Sequence, residues 1–263
     1  MVNKRLLEIA NRLGKYSPDL LPPASGEGNN QGSPAGFSLE DLTDSYRISG
    51  INYQNGIYQV DLSKSLLEAK TQDEHAQAAI ESKKTNGFFF HSYPLFHSIA
   101  SALEQNRNNP RFKEKIEEVR LFIKDAALKN WLTTSTRIIY NPKNEKDIVM
   151  HNYKQPEQYL LELDSFIGND CFITSKDAVN VESPLKCLLD TSQSIQEINS
   201  VYKWLTDVNA YLYRVNSDRQ EKDERVARFY AESDGVFLYC YGGPRGSNPA
   251  LGVRYAPQAR AAK

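Results

Sequence analysis

Apolar residues follow two different spacings along this chain, which predicts an α+β fold built mainly from short strands and packed helices. Residues three and four apart are apolar in some segments, as on one face of a helix. Elsewhere apolar residues alternate with polar ones or run together briefly, as in strands. Helices are predicted at 3–14, 71–84, 95–103, 111–129 and 194–205. Strands are predicted at 51–53, 57–60, 88–90, 131–140, 148–153, 236–240 and 251–255.

Local signals support several of these boundaries. Gln54-Asn55-Gly56 lies between two apolar segments and predicts a β-hairpin turn. Thr71 and Glu74 have the spacing of a capping box, in which each side chain binds a free amide at the start of a helix. Asn86-Gly87 predicts the end of that helix. Ser92 followed by Pro94 predicts the start of the next one.

The chain divides into three parts by composition. Residues 1–20 predict an amphipathic helix, and residues 21–36 are so rich in Pro, Gly, Ser and Asn that we expect a flexible linker. Residues 37–263 are long enough for a main domain with its own core. A short amphipathic helix cannot bury its apolar stripe alone. We therefore expect it to dock on the main domain or a partner, and a homo-oligomer formed through it is an option.

Bulk composition restricts the partners more than it identifies them. The chain has 263 residues and a net charge of -1, so no overall field would recruit nucleic acid or an anionic membrane. No apolar run has the length of a membrane span, and the charged N-terminus does not resemble a secretion signal. These features predict no nucleic-acid partner and no membrane insertion. They favour a cytoplasmic or virion-associated location.

No motif predicts a catalytic residue, a metal or a cofactor. His91 and His97 lie near Glu74 and His75 without a known metal spacing, and we expect histidines bonded to nearby backbone. The hydroxyl residues of 133–137 lack a nucleophile elbow and are expected to be solvated or paired across strands. The mixed charges of 218–225 predict a solvated loop with local ion pairs. Residues 242–246 favour a plain turn over an anion site.

The three cysteines do not indicate a metal site either. Cys171, Cys187 and Cys240 match no zinc or CxxC spacing, and an odd number cannot all pair within one chain. We favour free buried thiols, while one disulfide remains possible outside a cell.

The C-terminal segment from 223 to 254 has two kinds of position. Framework residues alternate with positions that hold aromatic residues, Arg and Gly, the types that binding surfaces favour. The strand period places Phe237, Tyr239 and Tyr241 on one face and Leu238 and Cys240 on the other. The predicted ligand-binding positions are Tyr230, Val236, Phe237, Tyr239, Tyr241, Gly242, Gly243, Arg245 and Gly246.

The framework residues have predicted roles of their own. Phe229, Leu238, Leu251 and Val253 are expected in the core. Pro249 is expected to fix a turn. Arg228 and Arg254 are the arginines expected to pair with acids or carbonyls.

This segment resembles the variable region of diversity-generating retroelement variable proteins, especially archaeal and viral members. The resemblance is carried by Tyr213–Ser217, the run ERVARF, the run SDG and Pro249–Arg254. A weaker similarity, from Thr71 to Leu103, is to the helix–strand–helix opening of the formylglycine-generating-enzyme type of C-type lectin fold. In that family a reverse transcriptase misreads template adenines. The resulting codons encode Tyr, Phe, Gly, Arg and Val among others, a set that contains every residue found at the predicted positions.

The resemblance implies a C-type lectin-like domain over 37–263 with a variable region at about 214–254. It implies ligand binding without catalysis, through surface residues that differ between gene copies. The ligand would be a macromolecule, either a protein or a surface glycan.

Two alternatives use the same scaffold. A formylglycine-generating-type enzyme would need a copper-binding cysteine pair, for which Cys240 and Cys187 are the candidates. A non-variable structural protein of a virion or tail would use residues 1–36 as an assembly tether.

Overall fold

The computed structural model describes residues 36–256, apart from Asp177 and Asp218. The helix predicted at residues 1–20 and the linker up to residue 35 lie outside the described residues, and so does the chain after 256.

The helices of the described residues begin where the sequence supplies caps. Thr71 and Glu74 form the predicted capping box, and Ser194 and Glu197 form a second one. Ser92 caps a helix that has Pro94 in its first turn, as predicted. The five helices are α1 (Gln72–Lys84), α2 (Tyr93–Gln105), α3 (Lys113–Lys129), α4 (Glu182–Leu189) and α5 (Ile195–Thr206).

Twelve strands in the described part of the chain form two mostly antiparallel sheets. They are β1 (Ser38–Asp41), β2 (Ser45–Tyr53), β3 (Gly56–Lys70), β4 (Phe89–Phe90), β5 (Leu132–Tyr140), β6 (Asp147–His151), β7 (Tyr159–Leu163), β8 (Cys171–Phe172), β9 (Ala210–Tyr213), β10 (Asp223–Ala231), β11 (Val236–Gly242) and β12 (Asn248–Tyr255). The first sheet has the order β1-β2-β3-β12-β4, and the second β7-β6-β5-β10-β11-β9-β8. Among the pairs in these sheets, β9 and β11 alone are parallel.

Buried polar bonds join the helices to the second sheet. Every residue of β5 is buried. Gln72 at the start of α1 donates to the backbone oxygens of Thr134 and Thr136, at 2.9 and 3.1 Å. Tyr93 at the start of α2 donates to the backbone oxygen of Arg228 at 2.6 Å. These bonds satisfy polar groups that would otherwise be costly to bury, and they hold β10 against α2.

The α+β class and the elements predicted within the described residues are confirmed. Tyr53 pairs with Gly56 across the predicted hairpin, and Gln54 in its turn has a φ of 51°. None of the helices within 36–256 is both long and apolar enough to cross a membrane.

Two local predictions are wrong. Residues 223–225 do not form a solvated loop but begin β10, where Asp223 pairs with Tyr140. Pro249 lies within β12, at a register shift beside Ala250, where an extended residue without an amide donor is tolerated.

The hydroxyl residues of β5 are buried. Thr134 is paired across strands, which is one of the two predicted alternatives: it donates to the carbonyl oxygen of Ala227 on β10 at 2.7 Å.

Candidate binding surface

Strand β11 has the two-sided character that its sequence predicts. Leu238 and Cys240 are fully buried in the core. Phe237, Tyr239 and Tyr241 are half-buried on the opposite face. The strand therefore fixes itself through one set of side chains and displays the other set.

Neighbouring strands extend this display. Tyr230 on β10 lies directly opposite Phe237. On the other side of β11, Tyr211 and Tyr213 of β9 are in register with Phe237 and Tyr239. Residues that lie side by side in adjacent strands point to the same face. We call the resulting surface the aromatic face, formed by Trp131, Phe172, Tyr211, Tyr213, Tyr230, Phe237, Tyr239 and Tyr241.

The rings on one half of the aromatic face are stacked in parallel. The ring centroids of Trp131 and Tyr230 lie 4.3 Å apart at an interplanar angle of 7°. Those of Tyr230 and Phe237 lie 4.6 Å apart at 4°. When rings stack across neighbouring strands, their flat faces contact each other. Only the edges of the inner rings are then available to contact a ligand.

The other half has tilted and edge-on contacts. Tyr213 and Tyr239 have centroids 4.8 Å apart at 36°, and Phe172 meets Tyr211 edge-on at 5.0 Å. Trp131 and Phe172, at opposite ends of the aromatic face, are 40% and 37% exposed. Large aromatic side chains with this much exposure at both ends indicate a surface that is available for contact.

The basic end of the aromatic face lies at Tyr241. The Arg225 guanidinium is 4.1 Å from the centroid of the Tyr241 ring, a cation–π contact. Arg225 donates from Nε to Asp223 at 2.9 Å, which fixes it in this position. Burial raises the pKa of Tyr239, so its phenol stays neutral and can donate a hydrogen bond.

A turn follows β11 and carries further predicted positions. Gly246 donates its backbone N–H to the Gly243 carbonyl at 3.1 Å, which closes a turn at the predicted place. Arg245 is exposed at its tip. A Cβ added to Gly243 would meet no atom within 4 Å. Both positions have room for other side chains.

Three of the predicted ligand-binding positions are buried. Val236 is completely buried, and Tyr230 is 7% exposed. A Cβ on Gly242 would lie 2.5 Å from the Val226 carbonyl oxygen, so backbone already occupies the space that a side chain needs there. Gly246 is exposed, and the atom that its Cβ would approach is Nη2 at the end of the Arg228 side chain.

Sequence reasoning missed half of the aromatic face: Trp131, Phe172, Tyr211 and Tyr213. The alternation of Tyr211, Leu212 and Tyr213 is a pattern from which a strand could have been predicted. The pairing of β9 with β11 could not be predicted from the sequence, since β10 separates the two strands along the chain.

The candidate residues for catalysis or metal binding lie elsewhere. Cys240 is fully buried, and burial raises the pKa of its thiol. Cys171 and Cys187 are half-buried, and all three thiols are free. Within residues 36–256 as described, no group of three or more His, Cys, Asp or Glu residues could hold a metal ion.

All four histidines are buried and bonded to neighbours. His91 contacts the Ser92 carbonyl oxygen at 3.0 Å, which is the local bond that the sequence predicted. His75 and His151 contact the carbonyl oxygens of Asn248 and Cys187, both at 2.9 Å. His97 contacts the Gln193 side chain at 2.7 Å. These contacts give the imidazoles structural roles.

Comparison with known proteins adds no assignment. No family model matches the chain, and no curated protein or solved structure matches it either.

Proposed function

We propose that this protein binds a macromolecular ligand through the aromatic face, and that the residues facing the ligand from β11 and the following turn differ between copies of the gene. The observation that carries the proposal is the strict alternation of β11. A strand anchored by Leu238 and Cys240 can change Phe237, Tyr239 and Tyr241 without losing its core contacts.

The proposal includes a C-type lectin-like fold of the formylglycine-generating-enzyme type. Its support is the order of α1, β4 and α2, a capped helix, a short apolar strand and a second helix with proline in its first turn. The sequence similarity to that fold, from Thr71 to Leu103, covers the same helix–strand–helix order.

Ring geometry favours a protein as the ligand over a glycan. Sugars bind aromatic residues through exposed ring faces, but Tyr230 has both of its ring faces covered, by Trp131 and Phe237. The edges and hydroxyls that remain match the rigid tyrosine contacts of protein recognition surfaces. Catalysis has no part in this function.

Sequencing the 3′ end of this gene across its natural population, with the flanking DNA, tests the proposal. Substitutions should concentrate at Phe237, Tyr239, Tyr241, Gly243, Arg245 and Gly246, and a nearby repeat should carry adenines at those codons. Val236 and Gly242 lie in the same segment and serve as internal controls that should vary much less. Equal variation at Phe237 and Leu238 would overturn the proposal.

A further inference from the structure

Arg228 is a buried cation with no carboxylate partner within the described part of the chain. It lies on β10 opposite Tyr239 and is 8% exposed. Nη2 donates to the Gly243 carbonyl oxygen at 2.7 Å, whereas Nε meets no acceptor among residues 36–256 as described. Burial lowers the pKa of Arg228, and Tyr239 is the ionisable group that counters this. A guanidinium has five N–H donors, so most of its capacity is unused among the described residues.

The other buried arginines are fixed by several acceptors each. Arg214 donates to the carbonyl oxygens of Asn180 and Asn169, each at 3.0 Å. Arg137 donates to Gln72 at 2.8 Å and forms ion pairs with Asp73 and Glu224. Buried cations are normally paired in this way because an unpaired one is costly. Nε of Arg214 also lacks an acceptor, but its Nη atoms have several. Among the buried arginines of the described residues, Arg228 is therefore the one with the fewest acceptors.

Two glycines border the Arg228 guanidinium. A Cβ on Gly242 would lie 2.9 Å from Nε and 3.1 Å from Cζ, and one on Gly246 would lie 2.6 Å from Nη2. The guanidinium therefore occupies space that side chains would otherwise fill. Arg228 lies opposite the displayed Tyr239 and is bonded to Gly243, at the start of the turn that carries Arg245. A group that docks on the aromatic face therefore comes close to the guanidinium.

We propose that Arg228 is a fixed anchor for a carboxylate of the protein ligand, supplied by an Asp or Glu side chain or by a chain terminus. This inference rests on the proposed function and adds the chemistry of one contact. A carboxylate can accept several charge-assisted hydrogen bonds from a guanidinium, and such bonds are stronger than neutral ones. Because Arg228 belongs to the framework, every variant of the surface would keep this anchor.

The test follows the Arg228 Nε–Hε signal by NMR in the ¹⁵N-labelled full-length chain. Sodium acetate is added at constant ionic strength, and acetamide is the neutral control. We expect the signal to move saturably with acetate, with a dissociation constant on the order of 10 mM, and to stay in place with acetamide. The same titration with inorganic phosphate distinguishes anion types. A clearly tighter response to phosphate would overturn the choice of a carboxylate.

Matched variants localise the effect. Arg228→Gln should weaken acetate binding at least tenfold, as measured from the shifts of neighbouring backbone amides. Arg245→Gln is the control: it removes an exposed cation from the adjacent turn and should change acetate binding less than twofold. Equal losses would indicate general attraction and overturn the anchor. If Arg228→Gln does not fold, the Nε–Hε titration of the unaltered chain still shows whether Arg228 binds acetate.

The outcome is separable from the proposed function. If the codons vary but the Arg228 signal does not respond to acetate, the proposed function is supported and the carboxylate anchor is overturned. If the Arg228 signal responds but the codons do not vary, the anchor is supported and the proposed variation is overturned.

Discussion

Gly242 lies so close to Val226 that a Cβ added to it would be 2.5 Å from the Val226 carbonyl oxygen. The backbone of β10 cannot move away without disturbing its pairing with β5. Gly243, the next residue, has open space around the same position. Two adjacent glycines in the predicted variable segment thus face opposite constraints.

Gly242→Ala should lower the free energy of unfolding by about 2 kcal/mol, because overpacking against backbone forces the strands apart. Gly243→Ala is the control and should change it by less than about 0.5 kcal/mol. Urea unfolding of both variants checks this. Equal effects would show that the Val226 contact does not limit position 242.

Tyr230→Ala should destabilise the protein by about 3 kcal/mol, since it removes a buried ring held between Trp131 and Phe237. It should also shift the emission of Trp131 to longer wavelength, because one ring face then meets water. The chain has 2 tryptophans, so the measurement uses a Trp204→Phe background. Tyr241→Ala is the control: no ring contact joins it to Trp131 among the described residues, so the emission should not change.

Tyr239→Ser should cost only about 1 kcal/mol, whereas Leu238→Ala should cost about 3 kcal/mol, although the two residues are neighbours. Leu238 is fully buried and Tyr239 is half-buried on the displayed face. Chemical denaturation of the pair measures the difference. A larger loss for Tyr239 would mean that the aromatic face holds the fold together and could not vary freely.

Stability should fall as the pH drops from 6.5 towards 4. Burial lowers the pKa of His91, His97 and His151 to about 4 in the folded state, from 6.5. Between these values the unfolded chain binds protons that the folded chain does not, so each histidine costs about 1.4 kcal/mol per pH unit and the loss ends near pH 4.

Urea midpoints at pH 7, 6 and 5 measure this slope. His97→Gln keeps a polar side chain without an imidazole, so its slope over the same range should be smaller by one proton. A midpoint that stays constant from pH 7 to 5 would show that the imidazoles ionise without unfolding.

Local sequence signals predicted the elements that have local causes. The capping box at Thr71 and the hairpin at Gln54 depend on residues within one or two turns of chain, and both are present. Residues 223–225 were misassigned because their charges suggested solvent. Local ion pairs are present, such as Arg225 with Asp223. The distant Arg137 also pairs with Glu224, and the distant strand β5 pairs with this segment as a strand.

The same limit applies to the binding surface. Alternation within β11 was predictable because a single strand contains it. Trp131 and Tyr213 belong to the aromatic face only because of which strands are neighbours in the sheet. The order of strands along the chain does not give their order in the sheet. The unsuitability of Gly242 for variation follows from the position of the Val226 carbonyl oxygen on β10, which is likewise a tertiary fact.

The parallel, in-register pairing of β9 with β11 has a consequence for how such a surface could change over generations. Tyr211 and Tyr213 lie outside the segment proposed to vary, yet each stands beside one of its residues, Phe237 or Tyr239. Under the proposed function, any replacement on β11 would be inherited next to a constant tyrosine. The repertoire would then consist of pairs with one invariant member, and selection would favour new residues that pack well against a phenol ring.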